Sequence, residues 1–89
     1  MRALLELAEL AKAIGHPARV QILRQLLTSD TCQAGDIFEK LPISQSTASQ
    51  HLKVLRKAGL IVGCADGQRM CYCVDPATLG RLKQLVAEL

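Results

Sequence analysis

Leu41 to Leu60 reads LPISQSTASQHLKVLRKAGL, and the reading of this stretch decides the fold. Ser44 is a good N-cap, because its side-chain oxygen can accept an N–H from the first helical turn. Behind it Ala48, Leu52 and Leu55 recur at helical spacing, and Gly59 follows a last turn that carries Arg56 and Lys57. Gln45 to Ala58 therefore reads as one amphipathic helix with a narrow apolar stripe. Its other face is unusual. Gln45, Ser46, Thr47, Ser49, Gln50, His51 and Lys53 are small or amide-bearing hydrogen-bonders with one cation, where Lys and Glu dominate an ordinary solvated face. Groups that both donate and accept suit base edges and phosphate oxygens. A short helix precedes this one across Leu41-Pro42-Ile43, which is the outline of a helix-turn-helix. The plain alternative is a polar helix packed on a core.

Composition narrows the classes. With 89 residues the chain has room for one domain, spanning 1–89, and too little for two. Nearly half the residues are apolar and almost all of these are aliphatic, which suits packed helices; Phe38 and Tyr72 are the only aromatics. A domain this small buries a modest core, so association with a second copy is expected to stabilise it. The net charge of +3 is unevenly spread. Between Ser44 and Arg69 stand Lys53, Arg56, Lys57 and Arg69 against one acid, Asp66, which favours a polyanion as partner. There is no run of about 18 apolar residues, so no membrane span is expected. MRALLELAELAKAIG carries Glu6 and Glu9, which marks an amphipathic helix rather than a signal peptide. A cytoplasmic location follows, and in that reducing setting four cysteines point to thiol chemistry rather than a disulfide scaffold.

Taken in order, the chain predicts a helix near 3–14 with Leu4, Leu7 or Ala8, Ala11 and Ile14 on one face, widened by Leu5 and Leu10. Gly15-His16-Pro17 breaks it, and Pro17 suits the first position of a second helix over 17–27. There Val20, Leu23 and Leu27 point inward with Ile22 and Leu26 beside them. A third helix is predicted over 33–40, and the helix over 45–58 follows. After Gly59 the period changes from helix to strand. Leu60 to Cys64 and Arg69 to Val74 flank an Asp-Gly turn, the strongest short hairpin signal, so 60–74 reads as a two-stranded wing. Asp75-Pro76 ends the strand, and a last helix over 77–88 carries Leu79, Leu82, Val86 or Leu85, and Leu89 on one face. The fold class is mainly α with a small β-hairpin: a dimeric winged helix-turn-helix of five helices plus the wing.

At this point GHPARVQIL (15–23), SQSTASQHLKVLRKAGLI (44–61) and the hairpin ending in a Tyr-containing strand resemble the ArsR/SmtB family of bacterial transcriptional repressors. The likeness runs from about Leu7 to Leu85. It implies a homodimer joined by the first and last helices, and double-stranded DNA bound at a pseudo-palindromic operator. It also implies release when a metal, metalloid or thiol-modifying signal reaches cysteines or histidines. Two family sites are missing. Where the family has a Cys-x-Cys before an acidic residue, Gln33, Ala34 and Gly35 precede Asp36, with Cys32 the nearest sulfur. The last helix has no histidine, and Glu88 is its one acid.

Any sensing must therefore come from the cysteines present. Cys71 and Cys73 are two apart on a strand and leave one face. If Asp66-Gly67 forms a two-residue turn, Cys64 lies opposite Arg69 and diagonal to Cys71 on that face. In winged helices the segment before the third helix pairs with the second wing strand, and Cys32 sits in that segment. Three thiolates suit a trivalent metalloid or soft cation, and four make a closed zinc site. As(III), Cd(II) or Zn(II) are thus the candidate inducers at Cys32, Cys64, Cys71 and Cys73, while DNA binding itself requires no cofactor. Redox or persulfide sensing through the same sulfurs is the second reading. The third is that they are small hydrophobes that sense nothing.

His16 beside Pro17 is expected to bond locally at a helix end, and His51 to meet a phosphate or a structural partner. No catalytic arrangement is present: Ser46 and Ser49 lie near His51, but no carboxylate in that helix could orient its imidazole. The chain is read as no enzyme but a repressor, with a winged-helix interaction module as the alternative. Gln45, Ser46, Thr47, Ser49 and Gln50 are assigned to the major groove, His51, Lys53, Arg56 and Lys57 to the phosphates around it, and Arg69 on the wing to the backbone or minor groove. Leu4, Leu7, Ala11, Leu79, Leu82 and Val86 are assigned to the dimer interface.

Overall fold

The computed structural model describes residues 1–28, 33–34, 42–66 and 69–89, and at 33, 34, 66 and 69 the backbone alone. The elements run α1 (Arg2–Ala13), α2 (Pro17–Leu27), β1 (Gln33–Ala34), α3 (Gln45–Lys57), β2 (Ile61–Asp66), β3 (Arg69–Val74) and α4 (Pro76–Ala87). Among the described residues there are four helices where five were expected. The helix predicted over 33–40 cannot begin at Gln33, because Gln33 and Ala34 pair as a strand with Tyr72 and Cys71. Positions 35–40 of that prediction lie outside the described residues.

Local chemistry sets each boundary. His16 caps α2 by accepting the Ala18 N–H on Nδ1 at 3.0 Å, with Pro17 in the first turn. Asp75 caps α4, its two carboxylate oxygens accepting the Ala77 N–H and the Thr78 hydroxyl, each at 3.1 Å. At the end of α3, Gly59 takes φ +82°, and two backbone bonds of 3.0 Å close the turn, from Gly59 N–H to the Arg56 carbonyl and from Leu60 N–H to the Leu55 carbonyl. This paired closure stops the helix and brings Leu60 onto Leu55; both side chains are fully buried. The wing is tied to the same point, since the Asp75 N–H donates to the Leu60 carbonyl at 2.9 Å.

The core draws on each of the four described helices: Leu10 and Ala13 of α1, Ile22, Leu23 and Leu26 of α2, Ala48, Leu52 and Leu55 of α3, and Leu82 and Leu85 of α4, closed by Leu60 and Ile61. On α3 the buried set is the one the spacing predicts. On α1 and α2 the helix is rotated from its prediction. Leu4 is 61% exposed, whereas Leu10 and Ala13 are buried, with Leu7 and Ile14 packed on the core. The reason is that the apolar arc of α1 is broad, running over Leu4, Leu7, Ala8, Leu10, Ala11 and Ile14 opposite Arg2, Glu6, Glu9 and Lys12, so the spacing does not select which part of it faces inward; the Glu6–Arg81 pair to α4, at 2.8 Å, helps fix the rotation. On α2, Ile22, Leu23 and Leu26 go inside, and Val20 and Leu27 remain exposed.

The sheet order is β1-β3-β2, antiparallel throughout. Ile61 faces Val74, Gly63 faces Tyr72, Cys64 faces Cys71 and Asp66 faces Arg69. The predicted Asp66-Gly67 turn is therefore corrected: Asp66 is the last paired residue of β2, and Cys64 lies directly opposite Cys71 instead of Arg69. This offset of two leaves every side chain on its predicted face, so alternation could not select it. What it gains is full-length pairing of both strands and an Ile61–Val74 cross-strand contact.

Candidate nucleic-acid interface

Ser44 organises the start of α3. Its Oγ accepts the Thr47 N–H at 3.2 Å and donates to Thr47 Oγ1 at 2.8 Å, with Ser46 Oγ 3.2 Å away. The Thr47 hydroxyl is thus held within the cap, and Thr47 is half-buried. Gln45, Ser46, Ser49, Gln50, Lys53, Arg56 and Lys57 are all exposed. Steps of three and four residues put Gln45, Ser49, Lys53 and Arg56 on one stripe, with Ser46, Gln50 and Lys57 on the next. No acid occurs anywhere in this helix. Its exposed face is therefore a field of amides and hydroxyls near the N-terminus that passes into three cations near the C-terminus. Val54, not singled out from the sequence, is also exposed on this helix.

His51 stands at the edge of that face, half-buried between α3 and α2. Its ring centroid lies 4.4 Å from that of His16, and Arg19 Nη1 is 3.4 Å from its Nδ1. Burial, then the neighbouring His16 and Arg19, lowers its pKa below the ordinary 6.5. At neutral pH the imidazole is thus uncharged, and its Nδ1 can accept from Arg19. Arg19 also donates to the Lys12 carbonyl at 3.4 Å, joining α1 to the cluster. Sequence reading missed this constellation because Arg19 and His51 are 32 positions apart. The available signal was a His or Arg in each of the two motifs, GHPAR and SQH.

On the wing, β-alternation sorts the sulfurs onto one face. Cys64 opposes Cys71, and Val62 opposes Cys73. Cys64 is exposed, and Cys71 and Cys73 are half-buried. Cys64 and Cys71 are free thiols, whereas Cys73 is disulfide-bonded. Cys32 lies outside the described residues. Among the described residues no group of three His, Cys, Asp or Glu side chains could hold a metal ion. Arg69 has its backbone opposite Asp66 at the wing tip.

Of the residues assigned to an interface, Leu4, Ala11 and Val86 are exposed, and Leu7 and Leu79 are half-buried against the core. Leu82 is corrected: at 4% exposure it belongs to the chain's own core, because α1 and α4 pack on each other and enclose it. Among the described residues no helix is long and apolar enough to cross a membrane.

The profile of the family described as "Bacterial regulatory protein, arsR family" matches residues 16–62, over half the chain and all of α3. The chain belongs to the arsR family. Among its relatives is the HTH-type transcriptional regulator Rv0081 of Mycobacterium tuberculosis, 33% identical over 75 residues, which are 84% of this chain and 66% of that one. Another is the HTH-type transcriptional repressor SmtB of the same organism, 36% identical over 64 residues, 72% of this chain and 47% of that one. The chain thus spans between about half and two thirds of the length of these two relatives. The solved structure of reduced HlyU from Vibrio cholerae superposes with a TM-score of 0.73 at 28% identity, covering 93% of this chain and 87% of that one. The arsR family and these named relatives are transcriptional regulators, not enzymes. The fold, mainly helical with an antiparallel hairpin, is the winged helix-turn-helix of arsR-like regulators.

Proposed function

We propose that this arsR-family chain is a cytoplasmic, homodimeric repressor that reads a pseudo-palindromic DNA operator with α3. One observation carries the reading: α3 exposes a capped, acid-free face in which amides and hydroxyls pass into Lys53, Arg56 and Lys57. Gln45 and Gln50 present amides that can pair bidentately with adenine, and Ser46 and Ser49 add shorter donors and acceptors, with Thr47 beside them held in the cap. Lys53, Arg56, Lys57 and His51 line the flanks for phosphates, and Arg69 takes the wing to the backbone or minor groove. The dimer forms through the exposed apolar surface of α1 and α4, around Leu4, Leu7, Ala11, Leu79 and Val86. A gel-shift titration against the chain's own upstream DNA at several salt concentrations tests this reading. Steep loss with salt supports it, and binding indifferent to salt favours a docking module instead.

The signal we assign is oxidation of wing thiols. The disulfide at Cys73 supports it, as does the placement of Cys64 and Cys71 beside it on one face. Two thiols give up two protons and two electrons to a thiol oxidant such as a peroxide or polysulfide, which is reduced as the S–S bond forms, and DNA affinity differs between the dithiol and disulfide forms. A second reading applies to the reduced protein. There Cys71 and Cys73, with Cys32 or Cys64 as third donor, would take As(III), Cd(II) or Zn(II) once their sulfurs come together, since among the described residues they form no metal-holding group as they stand. Gel shifts with peroxide, polysulfide, arsenite, Cd(II) and Zn(II) separate the two. Release by oxidants that Cys73→Ser abolishes supports the redox reading. Release by the soft metals alone, lost in Cys71→Ser/Cys73→Ser, supports the metal reading. Indifference to all of them makes the repressor constitutive.

A further inference from the structure

Gly63 sits in the middle of β2, opposite Tyr72, and its φ lies outside the left-handed region, so the backbone there would accept any residue. What calls for glycine is the space above it. A β-carbon at Gly63 would stand 3.3 Å from both Cζ and Nε of Arg56 and 3.1 Å from Cε of Met70. The Arg56 guanidinium, sent from the last turn of α3, therefore lies on bare strand backbone with the Met70 methyl beside it. A cation in that turn complements the helix C-terminus wherever its head points; nothing in that role requires it to lie on the wing.

We propose that Gly63 is the seat that positions Arg56 toward the DNA backbone, so that recognition helix and wing present their cations as one unit. The inference rests on the DNA-binding reading above and names how the two DNA-facing elements are kept in register. A seated guanidinium has lost most of its rotamer freedom before DNA arrives, so less ordering cost falls on the bound state.

The test is a double-mutant cycle on the full chain, using Gly63→Ala and Arg56→Ala, read as duplex affinity across a salt series. The three atoms facing the new methyl belong to the outer parts of two flexible side chains, so the fold survives, which circular dichroism and thermal melting check. Gly63→Ala is expected to weaken duplex binding about three- to tenfold and to make the log affinity–log salt slope shallower by about one, as Arg56→Ala does. The double variant is expected to be no worse than Arg56→Ala alone. Losses that add independently overturn the proposal, as does Gly63→Ala binding like the unmodified chain while Arg56→Ala does not. If Arg56→Ala itself binds normally, the seat is refuted while DNA binding through Lys53 and Lys57 stands. If the unmodified chain shows no salt-sensitive duplex binding, the underlying reading fails and the proposal goes with it.

Discussion

Replacing Ser44 separates what the start of α3 does for the fold from what it does for DNA. In Ser44→Ala the Thr47 N–H loses its acceptor at 3.2 Å and the Thr47 hydroxyl loses its 2.8 Å partner. The site is exposed, so water replaces both partners and no desolvated group is stranded. The loss is then that of a single cap, about 1 kcal/mol, which in a domain of this size lowers Tm by roughly 4–8 °C. Ser44→Asp restores an acceptor at the same position, and its charge favours the helix N-terminus, so Tm should return to or exceed the starting value. Its effect on DNA is opposite. A carboxylate beside Gln45 and Ser46 meets the phosphates, and duplex affinity should drop roughly tenfold at about 0.1 M salt, with the deficit shrinking as salt screens it. Thermal melts and fluorescence-anisotropy titrations on both variants read the two quantities side by side. If Ser44→Asp is as stable as the parent and also binds duplex as well, the N-terminus of α3 does not approach DNA, and the orientation assigned to this helix is wrong.

Three further outcomes follow from the same geometry. Gln50→Ala should lose about 1–3 kcal/mol at one base step and little elsewhere, whereas Lys53→Ala should weaken all duplexes alike and flatten the salt slope by about one; equal behaviour of the two on operator and random DNA refutes the division of labour. Sedimentation should give a dimer at micromolar concentration, and Leu4→Glu with Val86→Glu should shift it toward monomer, since both positions are at least half exposed at 61% and 50%; a stable monomer in the unmodified chain removes the two-fold operator with it. His51 has a folded pKa below its unfolded 6.5, so the unfolded chain binds more protons between those values. Its contribution costs nothing above about pH 6.5 and grows as pH falls toward the folded value; urea midpoints should therefore drop less between pH 7.5 and 5.5 in His51→Gln than in the parent, and identical drops contradict the cluster's electrostatics.

The parts of the fold legible in the sequence are those where one residue type has one physical use. Ser44 and Gly59 mark the two ends of α3, and its stripe is narrow enough that Ala48, Leu52 and Leu55 could face only inward. Helix rotation was not legible in α1, where Leu4, Leu5, Leu7, Ala8, Leu10, Ala11, Ala13 and Ile14 offer several apolar faces and the choice falls to packing against α4. The wing's register escaped for a different reason: a shift of two residues preserves which side chains share a face, so Cys64 moved from opposite Arg69 to opposite Cys71 with no trace in the alternation. Gln33 and Ala34 read as helix because pairing with β3, far along the chain, outweighs local propensity. On α3 the exposure of Gln45, Ser46, Ser49, Gln50, Lys53, Arg56 and Lys57 was readable from the spacing, whereas Thr47 and His51 are half-buried. The His16–Arg19–His51 contact was not readable, since it joins two motifs only in three dimensions. A glycine inside a strand pattern signals close approach, yet which group approaches Gly63 is a tertiary fact.

The central claim is that α3 reads duplex DNA through an acid-free polar and cationic face. Its most direct test is the salt dependence of affinity for the chain's own upstream duplex beside that for a scrambled duplex of equal length. The account predicts specific binding at least about a thousandfold tighter than to the scrambled duplex, with log affinity falling linearly in log salt at a slope set by several phosphate contacts. Affinity that is equal for both duplexes, or unchanged across the salt series, contradicts it.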